Sequence, residues 1–190
     1  MQEYDQIADW YVTTRNAEAG IPTLRGFARN LPASGRILDL GCGDGIPISQ
    51  FLIREGFGVV AVDRSPEMIG RYRRNFPDVP ARCERAEQCT FPDGSFAAVV
   101  AWGVLFHLSA AEQRTVIEKV AGWLKPGGRF LFTSGKDRGT REGTMNGVTF
   151  RYTSLGVNEY RSLMQRTGME LEDNYHDAWE NFVYVTRKAR

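Results

Sequence analysis

The stretch Arg36-Ile-Leu-Asp-Leu-Gly-Cys-Gly-Asp-Gly-Ile46 constrains this chain more than any other. Ile37, Leu38 and Leu40 make the short apolar run that a strand buried on both faces requires, as in a parallel sheet. Gly41, Gly43 and Gly45 follow at alternate positions, where the missing Cβ lets backbone N–H groups come close to a ligand. A helix is expected to begin near Ile46 to Pro47, with proline tolerated in its first turn and Phe51, Leu52 and Ile53 on its apolar side. Strand, turn and helix together predict an α/β fold whose ligand lies at this first turn, facing the helix N-terminus.

Charge narrows the ligand. A dinucleotide brings an anionic pyrophosphate and prefers Gly-x-Gly-x-x-Gly, which here would need glycine where Ile46 stands. Asp39 and Asp44 flank the turn, and two carboxylates close to a pyrophosphate would repel it. They suit a cation instead, and S-adenosylmethionine offers two, a sulfonium and an ammonium. A nicotinamide oxidoreductase is weakened by the same three residues.

Asp39-Leu-Gly-Cys-Gly-Asp-Gly45 resembles the first motif of the class I S-adenosylmethionine-dependent methyltransferases, acid-x-Gly-x-Gly-x-Gly. Three more stretches carry the resemblance at matching spacing: Val59-Val-Ala-Val-Asp63, Glu84-Arg-Ala-Glu-Gln-Cys-Thr-Phe-Pro-Asp-Gly-Ser-Phe96 and Trp123-Leu-Lys-Pro-Gly-Gly-Arg-Phe-Leu-Phe132. It covers residues 1–190 as one domain and implies a Rossmann-like, seven-stranded, mostly parallel sheet with helices on both faces and a C-terminal antiparallel hairpin. The implied activity is transfer of a methyl group from S-adenosylmethionine to a small-molecule acceptor by in-line displacement. The alternative is an S-adenosylmethionine-binding protein without transferase activity, a sensor or subunit.

The resemblance also assigns residues. Asp39, Gly41, Cys42 and Gly43 form the cofactor turn, and Asp63, at the end of the second strand, is placed to bond the ribose hydroxyls. Arg64 and Met68 flank the adenine, although Met68 suits a core position equally well. Many relatives carry an aspartate for the adenine amino group where this chain has Arg85, and arginine accepts no hydrogen bond. Either Glu87 takes that role or the backbone around Ala86 reads the adenine edge. Trp102 ends strand four, and His107, just beyond it, is the candidate general base at the carboxyl end of the sheet. A loop-positioning role for His107 stands beside the catalytic one.

Residues 1–31 read as two helices broken at Gly20-Ile-Pro22, an N-terminal lid from which Tyr11 would reach the cofactor or its acceptor. Ser65-Pro-Glu-Met68 and the capping box Ser109-Ala-Ala-Glu112 open helices running to about Asn75 and Leu124. Strand three is expected from Val79 to about Glu84, strand four from Ala97 to Trp102 and strand five from Arg129 to Ser134. Residues 136–156 turn polar and glycine-rich and read as a long connection, the candidate acceptor loop, with Arg138, Arg151 and Tyr152 as contacts. A helix over Val157 to Thr167 precedes strands Met169 to His176 and Phe182 to Arg187.

A net charge of +1 gives no electrostatic case for nucleic acid or an anionic membrane. The basic run Arg71-Tyr-Arg-Arg74 fits a solvated helix face. Cys42, Cys83 and Cys89 are odd in number and lack metal spacing, so neither a disulfide framework nor a metal site is indicated. The longest apolar run, Phe96 to Phe106, is too short to span a bilayer, and no leader-like start is recognised, so a cytoplasmic location is expected. Ala101-Trp-Gly-Val104 stands where planar-amine methyltransferases carry Asp-Pro-Pro-Tyr, and no Pro-Cys nucleophile of the cytosine-5 type occurs.

Overall fold

Strands form where apolar residues run without a polar break, and helices where the apolar positions recur every third or fourth residue. The computed structural model describes residues 3–190, so Met1 and Gln2 of the expected lid lie outside the described residues. In chain order the elements are α1 (Glu3–Thr14), α2 (Ile21–Ala28), β1 (Arg36–Leu40), α3 (Ile48–Arg54), β2 (Gly58–Asp63), α4 (Pro66–Asn75), β3 (Ala81–Cys83) and β4 (Phe96–Ala101). A short 3-10 turn, Leu105–His107, follows, then α5 (Ala110–Trp123), β5 (Leu124–Thr133), β6 (Gly139–Met145), β7 (Val148–Ser154), α6 (Val157–Arg166), β8 (Met169–His176) and β9 (Phe182–Lys188).

Seven strands form one sheet in the order β3-β2-β1-β4-β5-β9-β8. The five from β3 to β5 are parallel, while β9 runs antiparallel to both β5 and β8. This is the expected mostly parallel sheet with a reversed C-terminal pair. Strand order reverses between β1 and β4, which opens a crevice at their carboxyl ends where open α/β sheets take ligands.

Alternation along β1 sends side chains to two cores. Leu38 and Leu40 join Val99, Phe130, Phe132 and the apolar sides of α5 and α6, whereas Ile37 joins Val59, Val100 and residues of α2 and α3. Both cores are closed, and Phe132 illustrates how tightly: its ring stacks on Phe130 at 4.8 Å and on Tyr184 at 4.7 Å, and it is fully buried. α4 covers Cys42 and Ala61 with Ile69 and Tyr72.

The structure corrects three boundaries. Residues 136–156 are not an unstructured connection but contain a β-hairpin, with β6 paired to β7 from Gly139↔Ser154 to Met145↔Val148. Asn146 and Gly147, both at positive φ (44° and 79°), turn the chain tightly, which is the Asn-Gly preference of two-residue hairpins. Strand three shrinks to Ala81–Cys83 at the sheet edge. Strand five starts earlier, at Leu124, because Leu124 pairs with Phe96 before the register shifts at Ala98.

Replacing Phe132 with Ala should destabilise the protein by about 3–5 kcal/mol, the range for truncating a closed-in aromatic. Urea unfolding followed by circular dichroism would read this as a lower midpoint at an unchanged m-value.

Candidate active site

The glycine turn is fastened to β2 before it meets any ligand. The N–H groups of Gly41 and Cys42 both donate to the Val62 carbonyl, at 2.6 and 3.0 Å. The Gly43 N–H donates to Asp63 Oδ2 at 2.9 Å, and the Ser65 N–H to Asp63 Oδ1 at 2.8 Å. Gly41 has φ +78, and a Cβ there would lie 1.8 Å from a Val104 methyl, so only glycine permits this approach. Gly43, at φ +56, has open space where its Cβ would be.

That space belongs to a cavity at the carboxyl ends of β1, β2 and β4. Of the residues singled out in the sequence, Tyr11, Gly41, Gly43, Asp63, Arg64, Met68, Ala86, Glu87, Trp102 and His107 line it. Tyr4, Val62, Gly103, Val104 and Leu108 complete the wall. Tyr4 was detectable in principle, since it precedes Tyr11 by two helical turns on one face of α1.

Two expected turn residues stand behind the wall rather than in it. Asp39 is buried and accepts a 2.6 Å bond from the Ser49 hydroxyl, itself bonded by Tyr72. Loss of hydration pushes its carboxyl up to about 7, despite the Ser49 bond. Cys42 points into the core with Ala61, Ile69 and Tyr72, where burial raises its thiol well above the usual range. Asp44 is also engaged elsewhere: Arg15 pairs with it at 2.7 Å, and its other oxygen accepts from the Ile46 N–H. The reading of Asp39 and Asp44 as counter-charges for a cation therefore gives way, because both brace the turn. The carboxylates in the cavity wall are Asp63 and Glu87.

α1 forms the cavity's outer side and is tied down by its own acids. Glu3 pairs with Arg64 at 2.5 Å, Asp5 accepts from the Ser65 hydroxyl and Asp9 pairs with Arg71 at 2.6 Å. The Tyr4 hydroxyl meets His107 Nε2 at 3.1 Å. The His107 ring lies among Tyr4, Phe106, Phe150 and Tyr152, at centroid distances of 4.7–5.6 Å. Burial, then the positive charge of Arg64, lowers the imidazole to about 4, while the Glu3 carboxylate and then the Arg151 backbone oppose that shift. His107 is thus neutral near pH 7, and its Nε2 shares a hydrogen bond with the Tyr4 hydroxyl.

A second, more open hollow lies beyond Phe106 and Tyr152. Its floor is Thr133, Ser134 and Gly135 at the end of β5, and its rim includes Lys136, Arg138 and Arg141. Arg138 and Tyr152 line it; Arg151 does not. Among the described residues no cluster of His, Cys, Asp and Glu is arranged to hold a metal.

A family model described as "Methyltransferase domain" matches residues 37–128, the span from β1 through the glycine turn to β5. Residues 37–128 are thus a methyltransferase domain, and the chain is similar along its length to class I S-adenosylmethionine-dependent methyltransferases. It is 29% identical over 182 residues to the ubiquinone biosynthesis O-methyltransferase of Xanthomonas axonopodis pv. citri, spanning 85% of this chain and 75% of that protein. Two solved structures share its fold. The CcbJ methyltransferase of Streptomyces caelestis superposes with a TM-score of 0.81 at 19% identity, over 99% of this chain and 98% of its own. The S-adenosylmethionine-bound CalS10, an amino pentose methyltransferase of Micromonospora echinaspora, gives 0.76 at 16% identity, over 100% and 98%. S-adenosylmethionine is the cofactor of this methyltransferase, and the open space at Gly43 and Gly103 offers it backbone to lie against.

The Asp39 carboxyl titrates higher in the folded chain than in the unfolded one, so its contribution favours folding at low pH and is lost as pH rises towards 7. Asp39→Asn keeps an acceptor for Ser49 but cannot ionise. Unfolding free energies measured from pH 4 to 8 should show the variant gaining on the parent protein as pH rises, most of it by about pH 7.

Proposed function

We propose that this methyltransferase acts on a small molecule that enters the second hollow and reaches the methyl group past Phe106, His107 and Tyr152. In this reading residues 1–190 work as one domain, with 1–31 as a lid over the cofactor and 136–156 as the acceptor-binding hairpin. The observation that carries it is that the two hollows meet at aromatic rings: His107, which lines the cofactor cavity, packs against Phe106 and Tyr152 beside the second hollow, and rings can turn aside. A net charge of +1 supports a small acceptor over a nucleic acid, and three unpaired cysteines support a reducing, cytoplasmic setting. No helix among the described residues is long and apolar enough to cross a membrane.

Bound S-adenosylmethionine supplies a methyl carbon already activated by its sulfonium. The chain's work is therefore alignment and exclusion of water. Asp63 holds the glycine turn and offers its remaining lone pairs to the ribose hydroxyls. Gly41 and Gly43 set the turn's backbone, and Trp102, Met68 and Ala86 give apolar walls. Tyr11, Arg64 and Glu87 complete the cofactor's surround, while Asp39 and Cys42 support it from behind the turn. The His107 ring is already engaged by the Tyr4 hydroxyl and packed among aromatic rings, so His107 acts as a positioning residue for the Tyr4 hydroxyl in the cavity wall. An amine or thiol acceptor needs little help from a base, and that is the chemistry this arrangement suits.

Incubating the protein with methyl-labelled S-adenosylmethionine and a cell extract should place label in the low-mass fraction. Label in protein or nucleic acid would overturn the reading. Asp63→Asn puts an N–H where the Gly43 N–H needs an acceptor, and should weaken S-adenosylhomocysteine binding at least about ten-fold by calorimetry. His107→Gln should lower kcat less than about ten-fold and leave its pH profile unshifted; a fall of about 10²–10⁴ with a lost pH limb would make His107 a general base.

A further inference from the structure

Most polar side chains that line the second hollow are already bonded within the protein. The Thr133 hydroxyl accepts from the Gly103 N–H at 2.8 Å, the Ser134 hydroxyl meets that of Tyr160 at 2.7 Å, and Ser154 donates to the Gly135 carbonyl at 2.7 Å. Thr140 and Thr153 bond each other at 3.1 Å across the hairpin, and Asn181 donates to Asp177 at 3.0 Å. On the rim, Arg138 reaches Glu159 at 3.5 Å. Arg141 is different: among the described residues it makes no ion pair, and its guanidinium lies over the Tyr152 ring, 5.9 Å from the centroid. Arginines around the cofactor cavity are tied up by acids, Arg15 by Asp44, Arg64 by Glu3 and Arg85 by Glu87 and Glu112.

The hairpin fixes where that guanidinium stands. Arg141 is the cross-strand partner of Tyr152, and a Cβ at Gly143, two residues on, would lie only 3.1 Å from the Tyr152 ring, so glycine there lets the ring lie across β6. The same ring meets Phe106 at 5.7 Å and His107 at 5.2 Å, which puts Arg141 beside the seam of the two hollows. Two acids, Asp137 and Glu180, share the rim. Neither offsets Arg141 at the seam: its charge is the one that acts on the Tyr152 hydroxyl, against the upward push of burial, whereas Asp137 acts on Tyr184. A guanidinium holds its N–H donors in a fixed fork that matches two oxygens of one anion. We infer that the methyl acceptor carries an oxyanion, a carboxylate or a phosphate, and that Arg141 grips it while Lys136 adds positive charge on the rim. With the anion held beside Tyr152, the acceptor's amine or thiol points past the aromatic rings toward the methyl group. Arg141 is then a specificity residue, touching the acceptor and not the cofactor, and it selects against neutral analogues. This rests on the proposed function, which makes the second hollow the acceptor's place.

The test splits a low-mass cell extract on an anion exchanger at mildly alkaline pH and incubates each part with the protein and methyl-labelled S-adenosylmethionine. Acceptor activity should lie in the part that the column retains; activity confined to the flow-through would overturn the inference. Phosphatase treatment of the retained part tells the two oxyanions apart, since lost activity marks a phosphate and kept activity a carboxylate. Arg141→Gln changes an exposed position where folding is little at risk. On a dilution series of the retained part it should raise KM about ten- to a hundred-fold, the range for losing hydrogen bonds to a charged group, while kcat falls less than about three-fold. Arg141→Lys keeps the charge without the fork and should recover part of the loss. Added salt should raise KM for the unmodified protein and act far less on Arg141→Gln. An unchanged KM in Arg141→Gln, with S-adenosylhomocysteine bound as before, would overturn the inference and leave the proposed function standing. Absence of label from every low-mass part would bring down the proposed function and this inference together.

Discussion

The carboxylate of Asp63 is the fastening on which the site depends. It stands at the end of β2, takes the N–H of Gly43 from one side and that of Ser65 from the other, and so joins the glycine turn of β1 to the start of α4. The two bonds use opposite oxygens, which holds the carboxyl plane across the mouth of the crevice. Burial and loss of hydration raise its titration, and the two N–H donors act against that shift. Everything that lines the inner cavity wall is placed relative to this group: the glycines through the first bond, Met68 through the helix that Ser65 caps.

A second layer of polar contacts keeps the turn itself in shape. Asp39, Ser49 and Tyr72 form a buried chain behind it, and Asp44 clasps Arg15 from the segment after α1. These acids lie close in sequence to the cofactor turn, yet they spend their hydrogen bonds on the protein. Proximity along the chain is thus a poor guide to which acid meets a ligand. On β1 successive residues point to opposite faces, and in the turn after it each glycine at positive φ swings its neighbour away.

How much of this could be read from the sequence depends on the range over which each element is specified. β1, the glycine turn and Asp63 are local patterns, and the seven-stranded, mostly parallel sheet with its reversed C-terminal pair followed from the family they resemble. The hairpin of β6 and β7 was missed although Asn146-Gly147 marks it, because β6 is exposed along most of its length and has no hydrophobic alternation to reveal a strand. The contact of Tyr4 with His107 joins residues 103 positions apart, and no local pattern encodes it. The roles of Asp39 and Cys42 were misplaced for a related reason: their residue types fit a binding turn, but only the packing of α3 and α4 decides which way they face.

The first helix is held mostly from its charged side. α1 has only Ile7 and Ala8 buried, and it is kept in place largely by Glu3, Asp5 and Asp9 reaching Arg64, Ser65 and Arg71. Contacts between partly exposed charges weaken as ions crowd around them, whereas the greasy seams inside the molecule do not. Ionic strength therefore acts on α1 before it acts on the cores: a salty solution slackens this helix's ties to Arg64 and Arg71 and leaves the frame as it was.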